Sequence, residues 1–146
     1  MNRALSLIVG TTMGNAEAVA DEIEPLLIQR GFQVTNTLSP ISAQLLTSPL
    51  WLIVCSTHGA GEVPENLQPW LQWLATQTDL SDHQYALCGI GDSSYDTFCG
   101  ALILIESELQ RVGMIPFVDK IEIDVQAIEL PENKALMWIQ NWPMGS

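Results

Sequence analysis

Hydrophobic positions along the chain follow two alternating periods. Residues 4–9 read ALSLIV, a nearly continuous apolar run closed by Gly10. A run of that kind predicts a strand buried on both faces. The period then lengthens. Ala16, Val19, Ala20, Ile23, Leu26 and Leu27 share one helical face, and Gly31 stands where a C-terminal cap belongs. Pro25 lies inside this stretch and removes a backbone donor, so a kink or early break is expected there. Residues 33–37 predict a second, weaker strand, and Ser39-Pro40 an N-cap opening a short helix through Leu46. LWLIVC, at 50–55, is the most apolar run and predicts a central strand.

The same alternation continues to the end. Leu67, Trp70, Leu71 and Leu74 predict a helix, provided that Pro69 falls in its first turn. Residues 85–88 predict a fourth strand, with a loop over 89–100. Leu102, Ile105, Leu109 and Val112 form a helical stripe stopped by Gly113, residues 115–123 contain a fifth strand, and Pro131 opens a last helix bearing Leu136, Ile139 and Trp142. Strand and helix alternate five times over one domain, 1–146, without a repeat. The expected fold is therefore α/β: a three-layer sandwich with helices on both faces of a five-stranded parallel sheet. Its order would be 2-1-3-4-5, with ligands bound at the switch point beyond the strand ends.

Composition narrows the function. Five Lys or Arg against 17 Asp or Glu give a formal net charge of -12. Such a chain repels phosphate backbones and anionic membrane surfaces, and favours basic protein partners. Met1 to Val9 lack a signal-peptide pattern, and no apolar run approaches the ~20 residues of a membrane span. Cys55, Cys88 and Cys99 have no C-x-x-C spacing and read as reduced thiols, so a cytoplasmic protein without a metal site is expected. Cys55 and Cys88 end apolar strands and read as core. Trp73 falls off the stripe of its helix, which suggests an exposed residue on a partner surface.

Three loops would meet at one edge of this sheet. They read Gly-Thr-Thr-Met-Gly-Asn-Ala-Glu (10–17), Ser-Thr-His-Gly-Ala-Gly-Glu-Val-Pro-Glu-Asn (56–66) and Gly-Ile-Gly-Asp-Ser-Ser-Tyr-Asp-Thr-Phe-Cys-Gly (89–100). The first has amide and hydroxyl donors and opens a helix, which suits a phosphate or a plain capped turn equally. It is neither a Walker loop nor a dinucleotide fingerprint. No Lys or Arg occurs in any of the three, so a monophosphate held by neutral donors fits better than a di- or triphosphate. Tyr95, Phe98 and His58 offer flat side chains on two loops that could sandwich a planar ring. His58 could equally be a solvated loop residue or a base. Ser93 and Ser94 lie outside any Gly-x-Ser-x-Gly elbow.

With these three motifs the chain resembles the flavodoxins, the small FMN-dependent electron carriers, and most of all the short-chain, MioC-type bacterial members. The likeness covers essentially the whole chain and implies the flavodoxin-like fold with FMN as cofactor. By motif, Thr11, Thr12, Met13, Gly14, Asn15 and Ala16 would bind the FMN phosphate. Ser56, Thr57, His58 and Gly59 would line one side of the isoalloxazine ring. Ile90, Gly91, Asp92, Ser93, Ser94, Tyr95, Asp96, Thr97, Phe98 and Cys99 would line the other, with Tyr95 stacked on the ring. Gly59 occupies the position whose peptide can flip toward the reduced flavin, which a residue without Cβ does at low cost. Asp124 is a weaker match to an Asp near the cofactor. Met13 and Asn15 stand where the family often has hydroxyl residues, and His58 where many relatives have an aromatic. When protonated, His58 would set a positive charge beside the flavin.

The resemblance implies a carrier rather than a stand-alone enzyme, reduced by a flavodoxin reductase and oxidised by a basic-faced acceptor protein. Glu62, Glu65, Asp92 and Asp96 would guide docking and lower the flavin potential, and a monomer is expected. Two other readings stand beside it: a flavodoxin-fold binding module with weak or no FMN, and an FMN-dependent quinone or azo reductase.

Overall fold

The structure is a computed structural model describing residues 3–11, 15–37, 42–57, 63–91 and 100–143, with 42–44 described by backbone alone. The elements in order are β1 (Arg3–Gly10), α1 (Asn15–Gln29), β2 (Phe32–Thr37), α2 (Ser42–Thr47), β3 (Leu50–Ser56), a 3-10 turn (Glu65–Leu67), α3 (Gln68–Ala75), β4 (Gln84–Gly91), α4 (Gly100–Arg111), β5 (Ile115–Pro116), β6 (Ile121–Asp124) and α5 (Pro131–Gln140). All strands pair in parallel, in the order β2-β1-β3-β4-β5, with β6 also on β4. The expected order is thus realised.

Alternate residues of the central strands face opposite layers, as a strand's two-residue period requires. Leu5, Leu7, Val9, Leu52, Val54, Ala86 and Cys88 pack with α1 and α5. Ile8, Trp51, Ile53, Cys55, Tyr85 and Leu87 pack with Leu45 of α2, with α3 and with α4. Both faces are covered, so the strands need no polar alternation. Cys55 and Cys88 fill the core on opposite faces, as the apolar strand ends suggested.

Four details differ from the sequence expectation. The helix over 15–29 runs unbroken through Pro25. Pro25 is exposed, so solvent can replace the hydrogen bond that its ring removes. The strand over 84–91 takes in Gly89, Ile90 and Gly91 because each has a partner in β3 or β6. The fifth strand is split. Gln84 and Tyr85 pair with Ile115 and Pro116, whereas Cys88 to Gly91 pair with Ile121 to Asp124. Two residues of β4 are therefore spanned by four at the edge, a bulge that suits an edge strand carrying a proline. Finally, Trp73 is half-buried, its ring 6.2 Å from that of Trp51. It closes the core near the start of β3 instead of forming an open partner surface. Other expectations hold: Gly31 and Gly113 take left-handed φ of 98° and 87°, and Pro69 falls in the first turn of α3. Ser39 and Pro40 lie outside the described residues.

The split edge is tied down by a polar bridge. The Tyr85 hydroxyl donates to Glu106 Oε2 at 3.2 Å, and Lys120 Nζ, in the bulge, donates to Glu106 Oε1 at 2.9 Å. Burial raises the Tyr85 pKa above its usual value, and the hydrogen bond to Glu106 raises that of Lys120. Both groups hold their protons more tightly folded than unfolded. Their contribution is complete below the unfolded values, near about pH 10, and disappears as pH rises through the folded ones. The urea midpoint should stay level from neutrality to about pH 9.5 and fall above about pH 10. Glu106→Gln should make that fall shallower; an unchanged slope would place the alkaline loss elsewhere.

Candidate functional site

The site is built where β1, β3 and β4 end. Gly10 is opposite Cys55, Cys55 is opposite Gly89, and Gly89 is opposite Glu122. The strands therefore leave the sheet at one height, and the chain segments that follow them start side by side. This is the convergence the strand order predicted.

At the first exit, Gly10 has no room for a side chain. A Cβ there would lie 2.5 Å from Leu67 Cδ1, 3.0 Å from Leu67 Cγ and 3.2 Å from Cys55 Sγ. Leu67 belongs to the 3-10 turn and is fully buried, so the missing side chain lets that turn close on β1. Its neighbour Asn66 exploits the approach. Asn66 Nδ2 donates to the Val9 carbonyl at 2.6 Å, and the Thr11 N–H donates to Asn66 Oδ1 at 3.1 Å. One carboxamide thus spans the backbone groups on either side of Gly10, as a neighbouring peptide would in a ladder. Asn66 was visible in the second loop, but nothing in its spacing marked this role. Only the fold brings it against β1.

The second exit is tied to both neighbours. The Ser56 hydroxyl donates to the Gly10 carbonyl at 3.3 Å. The Thr57 N–H donates to the Ile90 carbonyl at 2.9 Å, and the Thr57 hydroxyl accepts from the Ala101 N–H in the first turn of α4 at 3.1 Å. Thr57 therefore links β3, β4 and the start of α4. On the third exit, Val125 N–H donates to the Gly91 carbonyl at 2.8 Å, while the Asp124 carboxylate accepts from the Gln126 N–H at 2.9 Å. Asp124 is paired with Gly91 and so stands level with the end of β4.

The described candidate residues gather accordingly. Thr11, Asn15, Ala16, Ser56, Thr57, Ile90, Gly91 and Asp124 all lie at the ends of β1, β3, β4 and β6 or at the start of α1. Ala16 is wholly buried and offers only backbone to a ligand, and the Ile90 side chain is core. Thr12, Met13, Gly14, His58, Gly59, Asp92, Ser93, Ser94, Tyr95, Asp96, Thr97, Phe98, Cys99 and Glu62 lie outside the described residues. Glu65 is exposed at the head of the 3-10 turn.

The arginines are confined to one end of the sheet, where Asp79, Asp82 and Glu108 also lie, and Lys134 is in the first turn of α5. Arg3 opens β1, Arg30 follows α1 and Arg111 ends α4, so the three arginines sit at the edge opposite the site. They are engaged there: Arg3 with Gln84 and the Phe117 ring, Arg30 with the Trp142 carbonyl, and Arg111 with Glu108 and two carbonyls. Glu17, Glu65, Asp124 and Glu132 lie at the site edge, in first turns or at strand ends. A phosphate at the α1 N-terminus would meet backbone N–H groups and the helix dipole instead of basic side chains. That donor set fits a monophosphate. No group of three or more potential metal ligands occurs among the described residues.

A sequence model described as "Flavodoxin" matches residues 7–138. The chain is 37% identical over 139 residues to Protein MioC of Escherichia coli (strain K12), covering 94% of this chain and 95% of that one. A cysteine mutant of flavodoxin from Pseudomonas aeruginosa superposes with a TM-score of 0.85 at 26% identity, covering 94% of each chain. A mutant flavodoxin of Fusobacterium nucleatum, solved with bound flavin mononucleotide, superposes with a TM-score of 0.80 at 16% identity, covering 96% of this chain and 95% of that one.

Gly10→Ala should lower stability by about 1–3 kcal/mol through overpacking against the buried Leu67. With Leu67→Ala, which opens the space, the two changes should be less than additive in a urea double-mutant cycle. Simple additivity would show that the contact does not constrain Gly10.

Proposed function

The chain belongs to the flavodoxin family, of the short-chain, MioC-like type, with FMN as its cofactor, and we propose that it carries single electrons from a reductase to an acceptor protein. The register of β1, β3 and β4 supports this most directly, because it levels the three loop entrances at the edge where α/β sheets bind ligands. FMN, when bound, supplies the redox chemistry. The chain's own part is to hold it, orient it and set the field around it. In our reading, 11–16 hold the phosphate, 56–59 and 90–99 flank the ring, and Tyr95 stacks on it. Asp124, level with Gly91, adds negative charge beside the ring.

The acids at the site edge have two effects. They oppose added negative charge on the flavin, which lowers its potential, and they attract a basic partner. The distant arginines leave Lys134, in the first turn of α5, as the one described basic residue near these acids. Pro116 and the bulge blunt the β5 and β6 edge against strand addition, which suits a monomer. A cytoplasmic setting suits the core thiols Cys55 and Cys88. No described helix is long and apolar enough to cross a membrane.

The purified protein should be yellow and release FMN on denaturation. Its reduction by a basic flavodoxin reductase should slow about tenfold or more between low and high salt. Salt-independent reduction would sink the docking claim, and quinone turnover from a nicotinamide donor without a partner protein would overturn the carrier reading. Tyr95→Ala should weaken FMN binding about tenfold, corresponding to roughly 1.4 kcal/mol of stacking. Trp73→Leu should instead cost stability and leave affinity unchanged. Equal losses of affinity would refute the stacking assignment.

A further inference from the structure

We infer that Asn66 is the residue that positions the phosphate loop, and that it does so from the neighbouring second loop. The inference rests on the reading that FMN binds with its phosphate at residues 11–16.

The geometry has three parts. First, β1 runs past its last pairing with β2, which is Ile8 opposite Thr37. Beyond it, the Asn66 carboxamide joins the Val9 carbonyl and the Thr11 N–H, at 2.6 and 3.1 Å. Second, Leu67 occupies the space beside Gly10 that a Cβ would need. Backbone direction at the exit is therefore fixed by hydrogen bonds on both sides of Gly10 and by packing against it. Third, the phosphate segment is short. Only residues 12–14 separate Thr11 from Asn15, the first residue of α1. α1 is itself anchored by Ala16, Val19, Ala20 and Ile23 in the core. With its far end held by α1, the near end is set by Asn66.

Asn66 also ends the segment that begins at Thr57. Thr57 is fastened to Ile90 and Ala101, and Asn66 to Val9 and Thr11. The second loop is thus pinned at one end to the third exit and at the other to the first. A carboxamide is required because the site asks for one donor and one acceptor on the same planar group. Asn66→Asp would still accept from Thr11 but could not donate to Val9. It would set a carboxylate against a carbonyl and add a negative charge next to the phosphate segment. Asn66→Leu would remove both bonds and leave the charge unchanged.

FMN and riboflavin differ only in the phosphate, so their affinity ratio isolates the loop from general stability. Apoprotein of wild type, Asn66→Asp, Asn66→Leu and Leu109→Val is titrated with each ligand, following flavin fluorescence. Leu109 is core on α4, remote from the β1 exit, and serves as the destabilised control. Wild type should prefer FMN. Asn66→Asp should reduce the FMN-to-riboflavin ratio by at least about fivefold, through one lost hydrogen bond and the charge it sets near the phosphate. Asn66→Leu, which loses both bonds without a change of charge, should reduce it by at least about fivefold as well, and Leu109→Val should leave it unchanged. If Asn66→Leu keeps the wild-type ratio, whatever Asn66→Asp does, Asn66 does not position the phosphate segment and the inference fails. If wild type itself shows no preference for FMN, the phosphate assignment to 11–16 fails instead. Should Asn66→Leu not fold, the smaller and equally neutral Asn66→Ala variant takes its place.

Discussion

At the C-terminal end of β1, the backbone of Gly10 and the side chain of Leu67 share space too small for a Cβ. Much of the site edge follows from that approach. It brings the 3-10 turn against β1, and the turn carries Asn66 to the Val9 carbonyl and the Thr11 N–H. It also sets where α3 begins, because Gln68 follows directly, and α3 brings Trp70 and Leu74 into the core on that face. A Cβ at position 10 would force the buried Leu67 side chain out of its place beside β1. Packing of Leu67 and hydrogen bonding by its neighbour Asn66 thus act on adjacent residues of the same strand end.

Around this contact the sheet supplies a level rim. Thr57 and Ser56 tie three exits together through backbone and hydroxyl groups, without a charged side chain. On the proposed site a strongly acidic chain would still receive a phosphate, because the donors at the start of α1 would be N–H groups whose field is fixed by the fold. Its arginines are spent at the other edge on carbonyls, an aromatic face and a carboxylate. The net charge of -12 is therefore unevenly placed. The proposed carrier role would use this arrangement as a neutral cradle for the cofactor and a negative approach for its partner.

The rhythm of apolar residues was enough to place nearly every element. Continuous runs at 4–9 and 50–55 marked strands buried on both faces, and stripes such as Leu102, Ile105, Leu109 and Val112 marked helices. Pro25 misled because the penalty of a proline depends on whether solvent can serve the freed carbonyl, and a linear pattern does not report that exposure. Trp73 misled for a related reason. It lies off the helical stripe, yet Trp51 reaches it from β3. The split of the fifth strand was also hidden, because a bulge is a matter of register between two strands and not of either sequence alone.

For the site, the chemistry was legible in local residue types. The sequence by itself set three loops rich in Gly, Ser, Thr and Asn, the lack of Lys and Arg in all of them, and the motifs that carry the flavodoxin likeness. These are local properties, legible because turn, cap and donor chemistry depend on residue type. Only the tertiary structure decided which residues hold the loops in place. Asn66 lies 57 positions from Val9 in sequence, Thr57 lies 44 from Ala101, and Ser56 lies 46 from Gly10. Such pairs form when parallel strands are brought into register across intervening helices. Which side chain then stands opposite which carbonyl is fixed by the packing of the whole sheet.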